Sequence, residues 1–258
     1  MSDSLFDLSG QVALVTGTSR GLGQYFARAL ARSGADIAMT SRDSSTLQDF
    51  SRELQSLGRK TFSTALDVRN HESIQQAVTA IEEHFGKIDI LVNNAGCNIR
   101  KPALDVTWED WNIILETNLR GSFFVAQAVA RGMIARGYGR IINIASLSTF
   151  VALNEVAAYA ASKAAVGSLT QTLAVEWSKH GVNVNAIAPG VFRTSLNANL
   201  LDSTPRGKEF LMRTPMGRFG NTDELIGAAV YLASDAASFV AGQIIAVDGG
   251  FLASGVNQ

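Results

Sequence analysis

Two kinds of hydrophobic pattern alternate along this chain. Short runs such as VALV at 12–15 are apolar at every position, whereas longer stretches carry apolar residues three or four positions apart. A short continuous run is typical of a strand buried on both faces, and the longer period is typical of an amphipathic helix. The pattern predicts strands at 11–16, 36–41, 61–68, 88–96, 139–146, 182–190 and 243–250.

The predicted helices lie between these strands. Strict alternation of strand and helix predicts a parallel sheet with helices on both faces. We therefore predict an α/β fold, a single Rossmann-type doubly wound parallel sheet of about seven strands. No shift of composition, repeat or low-complexity segment marks a boundary, so residues 1–258 are predicted to form one domain. The helices are predicted at 23–34, 44–58, 73–86, 108–137, 156–181 and 222–236.

One stretch, residues 191–221, departs from this alternation. It contains Pro205, Pro215 and Gly217 as expected turn residues and shows no clear strand. A long excursion inside a compact domain is usually functional. We predict that this segment is a lid over the substrate.

Composition excludes several classes of protein. Of the 258 residues, 47% are hydrophobic, and the formal net charge of −1 gives no basic surface for nucleic acid. No window resembles a membrane span, and the first ten residues do not resemble a signal peptide. Cys97 is the only cysteine, which fits a reducing cytoplasm, and the three histidines lack metal-ligand spacing. We therefore expect a cytoplasmic protein with a small-molecule substrate and no metal, membrane or nucleic-acid partner.

A glycine-rich turn, LVTGTSRGLG at 14–23, joins the first strand to the first helix. Gly17 permits a tight turn, Gly21 lets the backbone approach a pyrophosphate, and Gly23 lets the helix pack on the strand. The amino end of a helix suits a phosphate because its free N–H groups and dipole face the anion. The spacing differs from the common G-x-G-x-x-G, so an ordinary turn remains an alternative. The cofactor residues predicted here are Gly17, Ser19, Arg20, Gly21, Leu22 and Gly23.

Further motifs follow in a fixed order at the carboxyl ends of the predicted strands, where open α/β sheets bind ligands. They are NNAG at 93–96, Asn118, Ser146, YAASK with Tyr159 and Lys163, and PGVFRT at 189–194. With these motifs the chain resembles the short-chain dehydrogenase/reductase family, over nearly its whole length from about Leu8 to Gly250. The resemblance implies hydride transfer between a nicotinamide cofactor and a ketone or secondary alcohol.

The residues at this site suit that chemistry. Tyr159 and Lys163 lie four positions apart, on one face of a helix. A neighbouring ammonium favours phenolate, so we expect Lys163 to lower the pKa of Tyr159 and Tyr159 to be the general acid or base. Ser146 can donate a hydrogen bond to the substrate oxygen. The resemblance implies that Lys163 also binds the nicotinamide ribose and that Asn118 holds a water in a proton relay, so the predicted catalytic residues are Asn118, Ser146, Tyr159 and Lys163.

The resemblance also implies a set of cofactor contacts. Asp67 matches the contact to adenine, with Val68 beside it. Phe192 and Thr194 match the positions that hold the nicotinamide carboxamide. The remaining predicted contacts are Asn94, Ala95, Gly96, Tyr159, Lys163, Pro189 and Gly190, and Asn93 is expected to line the same site.

The end of the second strand predicts NADP rather than NAD. Ser41 stands where relatives that use NAD carry an aspartate, and Arg42 follows it. Arg20 of the glycine turn can reach the same place. Guanidinium groups suit a 2′-phosphate, which they bind through charge-assisted hydrogen bonds. NAD is the alternative cofactor, because a shifted loop could bring the carboxylate of Asp43 to the ribose.

The motifs resemble most the gluconate 5-dehydrogenase branch of the family, through NNAGCNIRKP, PGVFRTSLNANL and RTPMGRFG. Arg100 and Arg193 are the predicted substrate residues, beside Ser146 and Tyr159, because two cations suit a carboxylate. A loop arginine that faces water or pairs with Asp105 is the alternative for Arg100. A 3-ketoacyl thioester reductase and a catalytically silent regulatory protein remain alternative functions; His180 stands where the thioester reductases tend to have arginine.

Family members commonly form tetramers. The resemblance therefore implies a homotetramer that pairs the two long helices, near 108–132 and 156–180, and the carboxyl-terminal strands. Both helices carry apolar residues on more than one face, which is consistent with an interface.

Overall fold

The computed structural model describes residues 5–193, 198–255 and 257, and it contains one parallel sheet of seven strands. Their spatial order is β3-β2-β1-β4-β5-β6-β7. The chain starts in the middle and winds outwards in both directions, which confirms the doubly wound fold predicted from the sequence. The strands are β1 (Val12–Thr16), β2 (Asp36–Ser41), β3 (Thr61–Ala65), β4 (Ile90–Asn93), β5 (Gly139–Ile144), β6 (Val182–Pro189) and β7 (Ile244–Val247).

Helices cover both faces of the sheet because alternate strand residues point in opposite directions. Ala13 and Val15 of β1 pack in a core with three helices, and Leu14 packs in a second core on the other face with three more. The first core involves α1 (Leu22–Arg32), α2 (Gln48–Ser56) and α9 (Thr222–Ala233); the second involves α3 (His71–Phe85), α5 (Ser122–Arg136) and α6 (Ala157–Trp177). The remaining helices are α4 (Trp108–Leu115), α7 (Ala198–Leu201) and α8 (Pro205–Arg213).

The edge strands differ from the sequence-based prediction. The inner strands are buried along nearly their whole length, as a continuous apolar run predicts, but β3 and β7 are largely half-buried. Each of these two strands has a neighbour on one side only. Uniform burial of every strand was therefore wrong for the two edges of the sheet.

The long helix predicted at 108–137 is interrupted. It divides into α4 and α5, and a π-helical turn at Glu116–Gly121 joins them. Such turns occur often at functional sites because they displace side chains from the regular spiral. This one carries Asn118.

The excursion at 191–221 contains two helices that the sequence analysis missed. Pro205, expected to be a turn residue, is the first residue of α8. The backbone N–H at this position has no partner within the helix, so a proline loses no hydrogen bond there. Thr204 caps this helix, since its hydroxyl accepts from Gly207 N at 3.0 Å. The prediction that the segment is a lid stays a prediction, and Thr194 lies outside the described residues. In the described part of the chain, no helix is both long and apolar enough to span a membrane.

Candidate active site

The predicted site residues gather at one edge of the sheet, where the carboxyl ends of β1, β4, β5 and β6 lie side by side. β1 and β4 are neighbours here although they are far apart in sequence, and this is where the winding direction reverses. A crevice at such a point is the usual ligand site of an open α/β sheet.

The glycine turn has the geometry of a phosphate cradle. Gly17 and Gly21 have φ values of +70° and +67°, in the left-handed region that favours glycine. A side chain at Gly23 would bring its Cβ to 2.4 Å from the carbonyl oxygen of Gly17. Helix α1 has no side-chain cap and no acidic residue in its first turn, so its amino end is left for an anion. Ser19 and Arg20 are exposed on the turn, and Leu22 packs against the first core.

Asn94 fastens the loop after β4 to the glycine turn. Its side-chain amide donates to the carbonyl oxygens of Thr16 at 2.9 Å and Gly17 at 3.2 Å. The Thr16 hydroxyl accepts from the backbone N–H groups of Asn94 at 3.0 Å and Ala95 at 2.9 Å. Sequence reasoning missed Thr16 because it looked like the last residue of a strand. Asn93 points into the sheet, where it donates to Asn143 Oδ1 at 3.0 Å, so its side chain does not line the crevice as expected.

The end of β2 leaves two arginines available for a 2′-phosphate. Arg20 and Arg42 are exposed and form no ion pair with any residue in the described part of the chain. Ser41 is buried and donates to the carbonyl oxygen of Asp43 at 2.5 Å. The Asp43 carboxylate caps the turn that follows, accepting from Ser45 N at 3.0 Å and Ser45 Oγ at 2.7 Å, and these bonds lower its pKa. The alternative in which Asp43 binds the ribose therefore has to break an existing cap.

The other predicted cofactor residues lie at or just beyond the carboxyl ends of β3 and β6. Asp67 accepts from Arg69 N at 2.9 Å, and Val68 is buried where a Cβ on Gly121 would meet it at 2.8 Å. Pro189 ends β6, and Gly190 comes so close to β7 that a Cβ would lie 2.5 Å from Asp248 Cα. Phe192 is buried in the first core.

Lys163 is held beneath the crevice. Its ammonium donates to the carbonyl oxygen of Ile144 at 2.6 Å and lies 5.7 Å from the ring centroid of Tyr159. A Cβ on Gly96 would stand 3.8 Å from the same Nζ. Burial disfavours the charged form and lowers the pKa of Lys163 to about 8, against a smaller opposite effect of Cys97.

Asn118 positions the loop that runs over Lys163. It is fully buried, and its Oδ1 accepts from Cys97 N at 2.8 Å. Its amide donates to the Cys97 carbonyl at 2.9 Å and to Ser162 Oγ at 3.0 Å. One side chain thus ties the loop after β4 to α6, the helix that carries Tyr159 and Lys163. The role implied by the resemblance, a water relay, remains a prediction.

The pKa of Tyr159 is raised, whereas the sequence analysis expects it to be lowered. Burial raises its pKa, a hydrogen bond with Ser146 lowers it by less, and Lys163 is not among the groups that shift it. The ammonium lies beside the ring and is bonded to Ile144, and a lowering of the Tyr159 pKa by Lys163 stays a prediction. A buried, protonated tyrosine is suited to donate a proton to a developing alkoxide.

Reduction of a ketone is expected to slow as the pH rises through about 8, where Lys163 loses its charge. An ammonium near the reacting oxygen stabilises negative charge, so its loss should lower kcat/KM about tenfold per pH unit. The measurement is a pH series of kcat/KM at saturating NADPH. A fall that begins only above the ordinary tyrosine range, near ~10, would show that Tyr159 titrates alone.

The two predicted substrate arginines are both paired. Arg100 forms an ion pair with Glu155, not with Asp105. Arg193 donates two hydrogen bonds to the carboxylate of Asp202, from Nε at 2.8 Å and from Nη2 at 2.6 Å. A bidentate pair already satisfies the geometry that a substrate carboxylate would need. The substrate roles of both residues stay predictions.

The whole arrangement fits a nicotinamide dinucleotide. The glycine turn provides close approach for a pyrophosphate, and the two free arginines provide charge for a 2′-phosphate. Such a cofactor supplies or accepts a hydride when bound. Tyr159, Ser146 and Lys163 lie together at the crevice, and their predicted roles are to move a proton, to orient the substrate oxygen and to stabilise charge.

Comparison with known proteins agrees with this class of site. Residues 17–252 match the family model described as enoyl-(acyl carrier protein) reductase. The chain is 43% identical over 250 residues to gluconate 5-dehydrogenase of Gluconobacter oxydans, covering 97% of this chain and 98% of that protein. It is 45% identical over 247 residues to 2-dehydro-3-deoxy-D-gluconate 5-dehydrogenase of Bacillus subtilis, with 96% of each chain covered. A crystal structure of a gluconate 5-dehydrogenase from Burkholderia cenocepacia, in complex with NADP and tartrate, matches with a TM-score of 0.94 and 43% identity, covering 97% of this chain and 98% of that one.

Fold and site together define a dinucleotide-dependent oxidoreductase. The chain belongs to the short-chain dehydrogenase/reductase family. The family resemblance stated from the motifs is confirmed.

Proposed function

We propose that this protein interconverts a ketone and a secondary alcohol on a sugar acid, by hydride transfer with NADP(H). The observation that carries the proposal is the grouping of Ser146, Tyr159 and Lys163 at the crevice, with Arg100 and its loop leading away from it. The relatives named above act on gluconate or on 2-dehydro-3-deoxy-D-gluconate. The expectation of NADP(H) is supported by the relative crystallised with NADP and by the free Arg20 and Arg42.

The test is a panel of ketones with NADPH. Purified protein is assayed for NADPH oxidation with 5-keto-D-gluconate, a simple ketoester, a diketone and an acetoacetyl thioester. A kcat/KM that is highest for 5-keto-D-gluconate supports the proposal. Highest kcat/KM with the thioester would favour a ketoacyl reductase, and no turnover of any ketone would favour a silent cofactor-binding protein.

The surface of the protein gives less support to the alternative substrate, a ketoacyl thioester linked to an acidic carrier protein. His180 is exposed at the end of the turn after α6, where the thioester reductases tend to have arginine. An arginine can bind a carboxylate of an acidic carrier through two parallel hydrogen bonds, which the imidazole of a histidine cannot form. The intact catalytic residues likewise disfavour a silent regulatory role.

Assembly as a homotetramer is a further part of the proposal, as is a place in the cytoplasm. Trp108 and Trp111 on α4, Val175 on α6 and Phe239 before β7 are exposed apolar side chains. They lie on or near the two helices and the strand that the resemblance assigns to interfaces. Light scattering on the purified protein decides between a tetramer and a smaller assembly.

Replacement of Arg100 by alanine is expected to weaken turnover of an acidic sugar by ~1.5–3 kcal/mol in kcat/KM, the worth of a hydrogen bond to a charged group. A small neutral ketone should be affected little. The measurement is kcat/KM for both substrates with NADPH. Equal losses on both would show that Arg100, through its pair with Glu155, supports the loop and not the substrate.

A further inference from the structure

Helix α8 brings a third charged residue to the pair formed by Arg100 and Glu155. Arg206, in the first turn of α8, is half-buried and donates to the Asn154 carbonyl oxygen at 3.3 Å. Its guanidinium also lies 5.3 Å from the ring centroid of Phe210. We call Arg100, Glu155 and Arg206 the mouth cluster.

The mouth cluster carries more positive than negative charge. Glu155 is ion-paired with Arg100, whereas Arg206 has no carboxylate within 4.0 Å in the described ranges. Burial, and then the positive charge of Arg100, lower the pKa of Arg206 from its ordinary value. Glu155 and Glu209 have a smaller opposite effect on this pKa, but neither forms an ion pair with Arg206 in the described part of the chain, so a bound anion would give this guanidinium a direct charged partner.

The other cations of this segment do not share this property. Arg193, Arg213 and Arg218 are each ion-paired with a nearby acid, to Asp202, Glu209 and Glu224. Lys208, two positions along α8 from Arg206, is exposed to solvent. Arg206 is therefore the half-buried cation of α8 that forms no ion pair in the described part of the chain.

The mouth cluster connects to both catalytic loops. Arg100 follows the loop that Asn118 fixes over Lys163, and Glu155 lies between Ser146 and Tyr159 in the chain. The two loops are joined by a hydrogen bond from Lys101 N to the Glu155 carbonyl at 3.0 Å. Glu155 has a φ of +63°, a left-handed conformation that a non-glycine residue adopts at some cost and that is frequent at ligand sites.

We propose that Arg206 is a specificity-determining residue that binds the carboxylate of the acidic substrate, with Arg100 as its neighbour. This inference rests on the proposed function. In it, the far end of the substrate reaches α8 while its carbonyl carbon stays at Tyr159. The guanidinium of Arg100 is shared with the carboxylate of Glu155, whereas that of Arg206 donates to a backbone carbonyl and can still form two parallel hydrogen bonds with a substrate carboxylate.

The test compares Arg206→Gln with Lys208→Gln, which removes the same charge from the same helix. The substrates are 5-keto-D-gluconate and its amide, which lacks the negative charge. For Arg206→Gln we expect KM for the acid to rise ten- to a hundredfold, with kcat changed less and the amide changed by less than about twofold. Lys208→Gln should have the same KM for the acid as the unmodified protein. Arg206→Lys should have a KM between those of the unmodified protein and Arg206→Gln, because lysine keeps the positive charge but cannot form the two parallel hydrogen bonds of a guanidinium.

A binding measurement separates this inference from the proposed function. Calorimetric titration of D-gluconate into the protein saturated with NADP is expected to show binding that Arg206→Gln weakens at least tenfold. If the unmodified protein reduces neutral ketones but no sugar acid, the proposed function fails, and this titration still decides the role of Arg206. Equal losses with the acid and the amide, or unchanged gluconate binding, would overturn the inference and leave Arg206 as an anchor of α8 to Asn154.

Discussion

Replacement of Tyr159 by phenylalanine is expected to lower kcat for ketone reduction by at least ~10²-fold, the usual contribution of general acid–base catalysis. The change removes only the hydroxyl, whose proton the reaction needs. Affinity for NADPH should remain nearly the same, because the glycine turn and the free arginines are untouched. The measurements are steady-state NADPH oxidation and a fluorescence titration of the cofactor.

Tyr138→Phe is the matched control. Tyr138 is also half-buried with a raised pKa, but it lies at the opposite end of the sheet, just before β5. Its loss of a hydroxyl should leave turnover unchanged. A Tyr159→Phe protein that retains more than about a tenth of the unmodified rate would rule out Tyr159 as the proton donor.

The double change Ser41→Asp with Arg42→Ala is expected to reverse or abolish a preference for NADP over NAD. A carboxylate at the end of β2 repels a 2′-phosphate and accepts from a 2′-hydroxyl, and the lost guanidinium removes charge-assisted bonds of ~1.5–3 kcal/mol. The ratio of kcat/KM for NADPH and NADH should therefore change by ~10²-fold or more. The measurement is that ratio, with the ketone held at saturation.

The exposed Arg52 in the middle of α2 provides a control for this change, since Arg52→Ala removes a guanidinium that pairs with Asp49 on the same helix. It should leave the ratio unchanged. Equal efficiency with both cofactors in the unmodified protein would contradict the assignment of Arg20 and Arg42. Ser41 is buried and donates to the carbonyl oxygen of Asp43, a bond that an aspartate carboxylate cannot make, so a modest loss of stability is expected as well.

Burial shifts the acidities of Tyr159 and Lys163 in opposite directions. Tyr159 has a raised pKa and Lys163 a lowered one, both because of burial. At neutral pH the tyrosine is therefore an acid and the lysine still carries its charge. These are the protonation states that the reduction step uses, because the chain must then give a proton and stabilise an alkoxide, whereas oxidation of the alcohol uses the deprotonated tyrosine.

Much of this protein was determined by local sequence pattern. The apolar runs and helical periods predicted the sheet and its major helices, because burial on one or both faces leaves a regular trace in the sequence. The glycine turn was predictable for a similar reason, since Gly17 and Gly21 need backbone conformations that other residues avoid. Tyr159 and Lys163 are on one helix, so their spacing alone placed them together.

Only the tertiary structure decided which partners the site residues take. Arg100 pairs with Glu155, and Arg206 lies near Arg100, although these residues are well separated in sequence. The pKa of Tyr159 likewise depends on burial by several segments, and a motif cannot reveal burial. Pairing and desolvation are sums over neighbours from distant parts of the chain, whereas periodicity is a property of each segment by itself. For that reason the sequence determined the fold and the kind of chemistry, and the structure decided which charges remain free to meet a substrate.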